Sequence, residues 1–378
     1  MINILCVKPN KELLEALACD PFNVIYMSKE HLIKIKDLSE NKLNINFIKC
    51  NLSDNFIISS ISILKGFYLS VKNKQIDMVL INAIRDLPAI ILAQKIFIRN
   101  NKPIIFLISH SAYTFRSKIK SIFALYLIKK YTSGVISLSK AQAKYFKSKG
   151  IHNTVIIPNT YSNSYLFDNN FTENSNIKDK NIIKLSYVAC IKKEKAQHIG
   201  LEAIKILKDK FRINNIQLQL VGGIIDKIYK KKLEKYIKGN KLEENIIFLG
   251  LLNHIDVIKV LKETDIVIFT SNLEVQPRAI IEAMALKKPI IASEINGVVD
   301  LIENYKSGIL VPPNNPYRLA EEIYNLIINK KFSEKISTGA YEYIKEYCSH
   351  QRIRLLLLRF YLETQRKKKM LYKKVKTL

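Results

Sequence analysis

The sequence predicts an α/β protein with two doubly wound parallel sheets. Short apolar runs typical of buried strands alternate with helix-forming stretches, which is the pattern of βαβ units. The chain has 378 residues, enough for two domains of ordinary size, and 48% of its residues are hydrophobic, which is ample for two packed cores. A polar, irregular stretch near the middle of the chain interrupts the pattern and predicts a linker between the two domains.

The first half contains six apolar runs that are candidate strands, with helix-like segments between them. Because strands that alternate with helices form parallel sheets, these runs predict one doubly wound sheet. The expected strands lie at residues 2–7, 24–27, 46–48, 78–81, 104–108 and 135–137, and helices are expected at 11–18, 84–100 and 140–149.

The second half repeats the alternation and leads into a basic C-terminal tail. Its first expected strand is at residues 185–188, and others follow at 217–221, 246–249, 266–269 and 290–292. The predicted organisation is a first domain at 1–167, a linker at 168–181, a second domain at 182–350, and a last helix with a basic tail at 351–378.

Composition narrows the class of protein. The formal net charge is +28, which favours polyanionic partners such as membrane headgroups, nucleic acid or phosphorylated substrates. No apolar run approaches the ~20 residues of a membrane span, and no signal peptide is evident. The five cysteines are scattered without paired spacing, which favours a reducing cytosol and argues against disulfides or structural zinc.

The stretch at residues 265–299 carries most of the functional information. An apolar run at 266–269 predicts a buried strand, a polar turn follows, and Pro277 is expected to open a helix. Glu274 therefore lies on a strand-to-helix loop and Glu282 lies inside the helix. Ligands of open parallel sheets bind beyond the carboxyl ends of the strands, and a helix start favours a phosphate. Because a carboxylate there accepts hydrogen bonds from a ribose diol, the two acids predict a nucleotide-sugar site.

The residues around these two acids match a family pattern. Seven residues separate Glu274 from Glu282. The two acids are followed by Ala283-Met284-Ala285, Gly308, Leu310, Val311, Pro312 and Pro313. This string resembles the donor-site signature of the retaining GT-B glycosyltransferases, glycosyltransferase family 4 (glycosyl transferases group 1). The resemblance is strong over residues 183–330 and looser before them. It implies two Rossmann-like domains that face a central cleft, with a C-terminal helix that crosses back to the first domain.

The resemblance also implies roles for residues near the strand ends. Lys195 matches the lysine that binds the donor diphosphate, Lys192 stands three residues before it, and solvated lysines are the alternative. Gly222 resembles a turn beside the diphosphate, and Gly250 resembles the loop that holds the base. The implied catalytic residues are His110, Glu274 and Lys195, and the implied donor-binding residues are Lys192, Gly222, Gly250, Val275, Arg278 and Glu282.

The chain departs from the family pattern at several positions. Cys190 stands where relatives usually have an arginine, and Asn296 stands where they have the first glycine of a Gly-Gly-x-x-Glu loop. Pro277 stands where glycine is common, and proline removes an N–H donor that could face the sugar. The loop at residues 8–10 lacks the glycine that relatives often have after their first strand.

His110 is the one histidine with a suggestive context. It follows the apolar run at 104–108, so it is expected at the carboxyl end of a strand. The resemblance implies contact with the donor sugar near its reacting carbon, whereas a loop histidine bonded to backbone is an equally good interpretation. The other five histidines are expected to be structural.

Two basic segments are candidates for membrane contact. Residues 115–131 hold five lysines or arginines and no acid, with apolar residues at helical spacing, as in helices that lie on anionic bilayers. A helix that packs on its own sheet is the alternative. The tail from Arg352 has ten basic residues and one acid; residues 352–364 are expected to form the crossing helix and 365–378 a basic extension.

Together these features predict a retaining glycosyltransferase of the hexosyltransferase class. It would move a sugar from a UDP- or GDP-sugar, without a cofactor or metal, to a glycan or lipid-linked acceptor of capsule or lipopolysaccharide synthesis. It is expected in the cytoplasm at the inner face of the membrane, without a nucleic-acid partner. The chain contains no Asp-x-Asp pair, which argues against a metal-dependent GT-A enzyme. The alternatives are a nucleotide-sugar epimerase of the same fold and a non-catalytic GT-B partner or polyanion-binding protein.

Overall fold

The computed structural model describes residues 1–9, 11–17, 21–28, 45–49, 56–73, 75–98, 102–110, 118–161 and 182–376. The chain divides into two compact units, Met1–Thr160 together with Cys348–Leu378, and Tyr161–Tyr347. The predicted linker at 168–181 lies outside the described residues. The predicted domain boundaries at residues 167, 182 and 350 stay predictions.

The first unit is built on a parallel sheet. Its strands are β1 (Ile2–Val7), β2 (Phe22–Ser28), β3 (Ile45–Lys49), β4 (Met78–Ile81), β5 (Ile104–Ser109), β6 (Gly134–Ser137) and β7 (Thr154–Ile156). They form a seven-stranded sheet in the order β3-β2-β1-β4-β5-β6-β7, and each described pair is parallel. Because the chain leaves β1 in one direction and returns to its other side, β1 and β4 form the topological switch point.

The described helices between these strands are α1 (Lys11–Leu17), α2 (Phe56–Asn73), α3 (Leu87–Phe97), α4 (Lys118–Tyr131) and α5 (Lys140–Ser148). Four of them, α2 to α5, cover one face of the sheet. The chain steps the same way across the sheet from β3 to β7, and right-handed crossovers put the connecting helices α2 to α5 on one side. One buried cluster joins them, with Phe67, Ile90, Ile128 and Phe146 packed around strand residues such as Leu107.

The last helix, α12 (His350–Lys376), belongs to the first unit. The Phe360 ring stacks on Phe106 with ring centroids 4.5 Å apart. The Thr160 hydroxyl donates to the Cys348 carbonyl oxygen at 2.7 Å. The predicted crossing helix is therefore present, but it does not end near residue 364. It continues unbroken to Lys376, so most of the expected basic extension is helical.

The second unit repeats the architecture with six strands. They are β8 (Ile183–Val188), β9 (Ile216–Val221), β10 (Ile246–Gly250), β11 (Ile266–Phe269), β12 (Ile290–Ser293) and β13 (Ile309–Val311), in the order β10-β9-β8-β11-β12-β13. The helices are α6 (Gln197–Asp209), α7 (Lys227–Gly239), α8 (His254–Glu263), α9 (Arg278–Ala285), α10 (Pro316–Ile328) and α11 (Lys330–Tyr347). Every described pair is parallel, and β8 and β11 form the switch point. Two parallel α/β sheets confirm the predicted fold class.

Several element boundaries differ from the expectation. The helix expected at 84–100 is a single 3-10 turn at Ile84–Asp86 followed by α3, and residues 99–100 lie outside the described part. Pro277 is not the first residue of α9. Its extended ψ of 120° makes it the N-cap, and the helix begins at Arg278. The helix expected at 115–131 is described from Lys118. Helix α2 was not among the expected elements.

Candidate active site

A charged pair lies at the switch point of the second sheet. Lys195 comes from the loop after β8 and Glu274 from the loop after β11, two neighbouring strands. The Lys195 ammonium contacts the Glu274 carboxylate, and both side chains are largely buried. The Ser271 hydroxyl donates to the same carboxylate oxygen at 2.8 Å. The sequence predicted both charged residues, and the structure brings them together.

Hydrogen bonds hold the two loops to each other behind this pair. The Tyr187 phenol donates to the Lys195 carbonyl oxygen and lies 3.2 Å from the Ser271 hydroxyl. Burial raises the pKa of Tyr187 above its ordinary range, so the phenol stays protonated and can donate. The Asn272 N–H donates to the Glu194 carbonyl oxygen at 2.9 Å, and the Thr270 hydroxyl donates to that of Ala196 at 2.9 Å. The Lys195 backbone is therefore fixed by the loop that carries Glu274.

A second polar pair involves Glu282 and a histidine. Glu282 lies on α9 and is buried, and its Oε1 is 3.0 Å from Nε2 of His254, the first residue of α8. His254 was predicted to be structural, whereas the structure places it against the predicted ribose-binding acid. The available signal was its position just beyond Gly250, after the Asn253 cap that begins α8.

Glycines with positive φ let the loops of this edge approach each other. Gly222 has φ +148°, and a Cβ there would overlap the Ala189 carbonyl group. Its N–H donates to the carbonyl oxygen of Gly250 at 2.7 Å, which joins the two predicted donor loops. Gly297 has φ +88°, and a Cβ there would overlap the carbonyl oxygen of Val275, next to Glu274. Only glycine fits these two close approaches without strain.

The remaining predicted donor residues lie along the same edge. Lys192 is half-buried at the start of the 3-10 turn at Lys193–Lys195, and it makes no ion pair within the described part of the chain. Val275 is buried, and Arg278 is half-buried at the first position of α9. Cys190, at the position where the resemblance implied an arginine, is a half-buried free thiol. Its carbonyl oxygen accepts from Gln197 at 2.9 Å.

The side chains on this edge of the second unit suit a ligand that is anionic and carries several hydroxyl groups. Two lysines stand at the switch point, where a diphosphate would meet ammonium groups and the first turn of α9. Two carboxylates flank them, and carboxylates accept hydrogen bonds from sugar hydroxyls. Within the described ranges, no three His, Cys, Asp or Glu side chains cluster as a metal site.

His110 belongs to the first unit. It is exposed just beyond the end of β5, where the sequence predicted it. It lines a cavity of about 330 Å³, whose walls combine apolar side chains of β5, α4 and α5 with Asn82 and Arg85 from the segment after β4. The Gln142 side-chain amide, also on the cavity wall, donates to Oγ of Ser109 at 3.0 Å.

The carboxyl end of β1 carries a charged pair that the sequence analysis did not identify. Lys8, in the loop for which the resemblance implied a glycine, adopts the left-handed conformation, with φ +52°. Its ammonium lies 3.0 Å from Oδ1 of Asp86, which is 3% exposed, and donates to the Ser59 hydroxyl at 3.2 Å. No glycine is needed for this turn, because the lysine occupies the unusual conformation and an ion pair stabilises it.

Comparison with known proteins connects the second unit to a family. Residues 168–343 match the family model described as glycosyl transferases group 1. The matched segment contains Lys192, Lys195, Glu274, Glu282 and the glycine turns. The predicted resemblance to the glycosyl transferases group 1 is confirmed over this segment, and the relatives that match it are named as glycosyltransferases.

The relatives match this domain over a limited length. The chain is 27% identical over 154 residues to alpha-D-kanosaminyltransferase of Streptomyces kanamyceticus, which is 41% of this chain and 39% of that protein. It is 25% identical over 174 residues to the capsular polysaccharide biosynthesis glycosyltransferase CapM of Staphylococcus aureus, or 44% of this chain and 42% of that protein. The chain thus spans about two fifths of the length of these two relatives.

A solved structure covers nearly the whole chain. HepE of Anabaena, in complex with UDP and glucose, superposes with a TM-score of 0.73 over 95% of this chain and 99% of its own, at 19% identity. At this identity the likeness shows the fold, and it confirms the predicted GT-B class. The role of each site residue stays a prediction.

Proposed function

We propose that the chain transfers a sugar from a nucleoside diphosphate sugar to a glycan acceptor, with retention of anomeric configuration as in glycosyltransferase family 4. The observation that carries the proposal is the pairing of Lys195 with Glu274 and of His254 with Glu282 on one sheet edge of a glycosyl transferases group 1 domain. Each predicted donor-binding acid is largely buried and oriented by a hydrogen-bond partner, and both acids follow β11, one of the two switch-point strands.

The leaving group sets the main electrostatic demand of this reaction. As the bond from the sugar's anomeric carbon to the diphosphate oxygen breaks, negative charge accumulates on the diphosphate. In our proposal, Lys195 and Lys192 balance that negative charge, and the N–H groups at the start of α9 also stabilise it. Lys195 is held by Glu274 before the donor arrives, so the diphosphate becomes the second anionic partner of an ammonium that is already positioned.

The carboxylates hold the hydroxyls of the donor. Glu274 would orient the transferred sugar and Glu282 the ribose diol, with Val275, Arg278, Gly222 and Gly250 shaping the walls of the donor site. The acceptor hydroxyl attacks on the face that the diphosphate leaves, and a leaving phosphate oxygen takes its proton, so the chain supplies no nucleophile. His110 is proposed to contact the sugar near the reacting carbon.

The nature of donor and acceptor is proposed from the relatives. HepE was solved with UDP and glucose, which favours a UDP-sugar over a GDP-sugar. CapM is named for capsular polysaccharide synthesis, which supports a glycan acceptor of a bacterial surface polysaccharide, lipid-linked in our proposal. No helix of the described chain is long and apolar enough to cross a bilayer. We propose a cytoplasmic protein that is peripherally associated with the inner face of the membrane and uses no cofactor.

A thermal-shift screen of UDP-, GDP- and ADP-sugars tests donor binding. A donor present at 100 times its dissociation constant stabilises the folded chain by about 2.7 kcal/mol. The Glu282→Ala variant should lose that shift, whereas Glu294→Ala, which removes an exposed carboxylate after β12, should keep it. A donor-induced shift that survives Glu282→Ala, or no shift with any donor, would contradict the proposal.

Incubation of the donor without acceptor separates the alternatives. A transferase should show only slow donor hydrolysis, whereas an epimerase would convert the donor to a stereoisomer detectable by NMR. Donor binding with neither transfer nor conversion would favour a non-catalytic GT-B protein.

A further inference from the structure

The net positive charge of the chain is concentrated in one region. Residues 55–167 contain 16 lysines and arginines and two acids, Asp77 and Asp86. This segment therefore has a net charge of +14, half of the +28 of the whole chain. Asp86 is buried beside Lys8, and Asp77 accepts a hydrogen bond from the Asn3 N–H at 2.9 Å, at the start of the sheet. Neither acid lies on the helices that cover the sheet.

The same region exposes many large apolar side chains. They lie on three successive helices, α2, α3 and α4, and each is more than 40% exposed. The residues are Ile58, Ile61, Tyr68 and Leu69 on α2, Leu92 and Ile96 on α3, and Ile122, Phe123 and Tyr126 on α4. Single exposed apolar residues are normal, but large patches rimmed by polar residues mark interaction sites.

These side chains belong to one surface. The three helices pack on the same face of the sheet and share one buried core, so their outer sides point the same way. The rings of Tyr68 on α2 and Phe97 on α3 are in contact, with centroids 5.3 Å apart. The exposed charges between the apolar residues are all lysines: Lys65, Lys72, Lys95, Lys129 and Lys130. We call the outer side of α2, α3 and α4 the helix-layer face.

We propose that the helix-layer face lies on the surface of an anionic phospholipid bilayer. Apolar and aromatic side chains would enter the boundary between headgroups and acyl chains, and the lysines would meet the headgroup phosphates. Tyr68 and Tyr126 suit that boundary, because their rings are apolar and their hydroxyls are polar. Nucleic acid would use the lysines but would leave exposed isoleucines and Phe123 in water, so the observations favour a membrane.

This inference deepens the proposed function, since it names the surface that would bring the protein to a lipid-linked acceptor. It does not depend on catalysis. Vesicle binding is measured without donor or acceptor, so the membrane surface and the transferase activity can fail independently.

Charge is tested by co-sedimentation of the full chain with phosphatidylcholine vesicles, with and without phosphatidylglycerol. The variant Lys129→Glu/Lys130→Glu changes two adjacent exposed lysines of α4. The control Lys231→Glu/Lys232→Glu changes two adjacent exposed lysines of α7 in the second unit. Each lysine near an anionic surface contributes roughly fivefold to partitioning, so loss of the two lysines alone should weaken binding to anionic vesicles about 25-fold, and repulsion of the two new carboxylates should weaken it further. The α7 variant should bind like the unmodified chain.

Apolar insertion is tested by a second matched pair. Phe123 and Ile328 are both 60% exposed, the first on the helix-layer face and the second at the end of α10. Phe123→Ser should weaken partitioning about tenfold, because burial of roughly half a phenyl ring is lost. Ile328→Ser should have no effect. Ile61→Ser on α2 repeats the test on another helix, so the result does not depend on the folding of one variant.

Three outcomes would overturn the proposal. One is equal binding to neutral and anionic vesicles, and another is equal loss in the α4 and α7 lysine variants. The third is binding to duplex DNA, rather than to vesicles, that weakens with Lys129→Glu/Lys130→Glu and is indifferent to Phe123→Ser. That result would assign the helix-layer face to nucleic acid.

Discussion

The carboxyl edges of the two sheets use charged residues differently. In the second unit, Glu274 and Glu282 each meet a basic side chain from another segment, and glycines with positive φ let the loops of that edge approach each other. In the described part of the first unit, the ion pair of Lys8 with Asp86 lies at the switch point, and His110 borders a cavity lined by apolar and polar side chains. The second edge therefore concentrates paired charges, which fits the anionic donor of the proposed function, whereas the first edge offers a cavity of mixed character.

The largest expected effect is on the lysine of the second edge. Lys195→Ala should lower kcat about 1000-fold, because the charge developing on the diphosphate would lose its positioned ammonium group. Lys193→Ala is the control, since Lys193 is exposed in the same 3-10 turn and should change kcat less than about twofold. Initial rates at saturating donor measure both. Similar rates for the two variants would remove the distinction between a positioned and a solvated lysine.

A backbone substitution tests whether close loop packing is needed at the second edge. Gly297→Ala should lower the free energy of unfolding by about 2 to 3 kcal/mol, since φ is +88° and the new Cβ would overlap the Val275 carbonyl oxygen. Donor binding should weaken with it. Gly239→Ala is the control, because no heavy atom lies within 4 Å of its added Cβ. Urea denaturation measures both, and equal stability of the two variants would contradict the close-approach argument.

The ion pair of the first edge gives a third test. Asp86→Asn should destabilise the chain by about 2 kcal/mol, less than for a fully buried pair because Lys8 is 18% exposed. Asp209→Asn breaks an exposed pair with Lys205 and should cost less than about 0.5 kcal/mol. The donor-induced thermal shift should persist in both variants. If Asp86→Asn abolished donor binding, the separation of roles between the two edges would be wrong.

The smallest expected effect is that of His254. His254→Ala should raise the KM for the donor about tenfold and leave kcat within about twofold, because it removes the partner that orients Glu282. His152→Ala, a change at an exposed position of the first unit, should alter neither constant. A fall in kcat without a change in KM would show that Glu282 acts in the transition state rather than in donor binding.

The fold class could be predicted from the sequence because strands and helices alternate with clear periodicity. Lys195 and Glu274 were identifiable, since each follows a short apolar strand in a recognisable motif. His254 and Asp86 were not, because their partners are 28 and 78 residues away and the contacts depend on how loops pack. Helix α2 was missed because its many isoleucines and serines give weak helical propensity, and packing on the sheet decides its conformation.

The placement of α12 has a consequence for synthesis of the chain. Phe360 packs on Phe106, and Thr160 bonds to Cys348, so the first unit is completed by residues that are translated after the whole second unit. During translation, the second unit can fold as it emerges, whereas the first unit lacks α12 until that helix has been made. A ribosome that stalls before residue 348 would therefore release a product with an incomplete first unit, a target for chaperones and proteases.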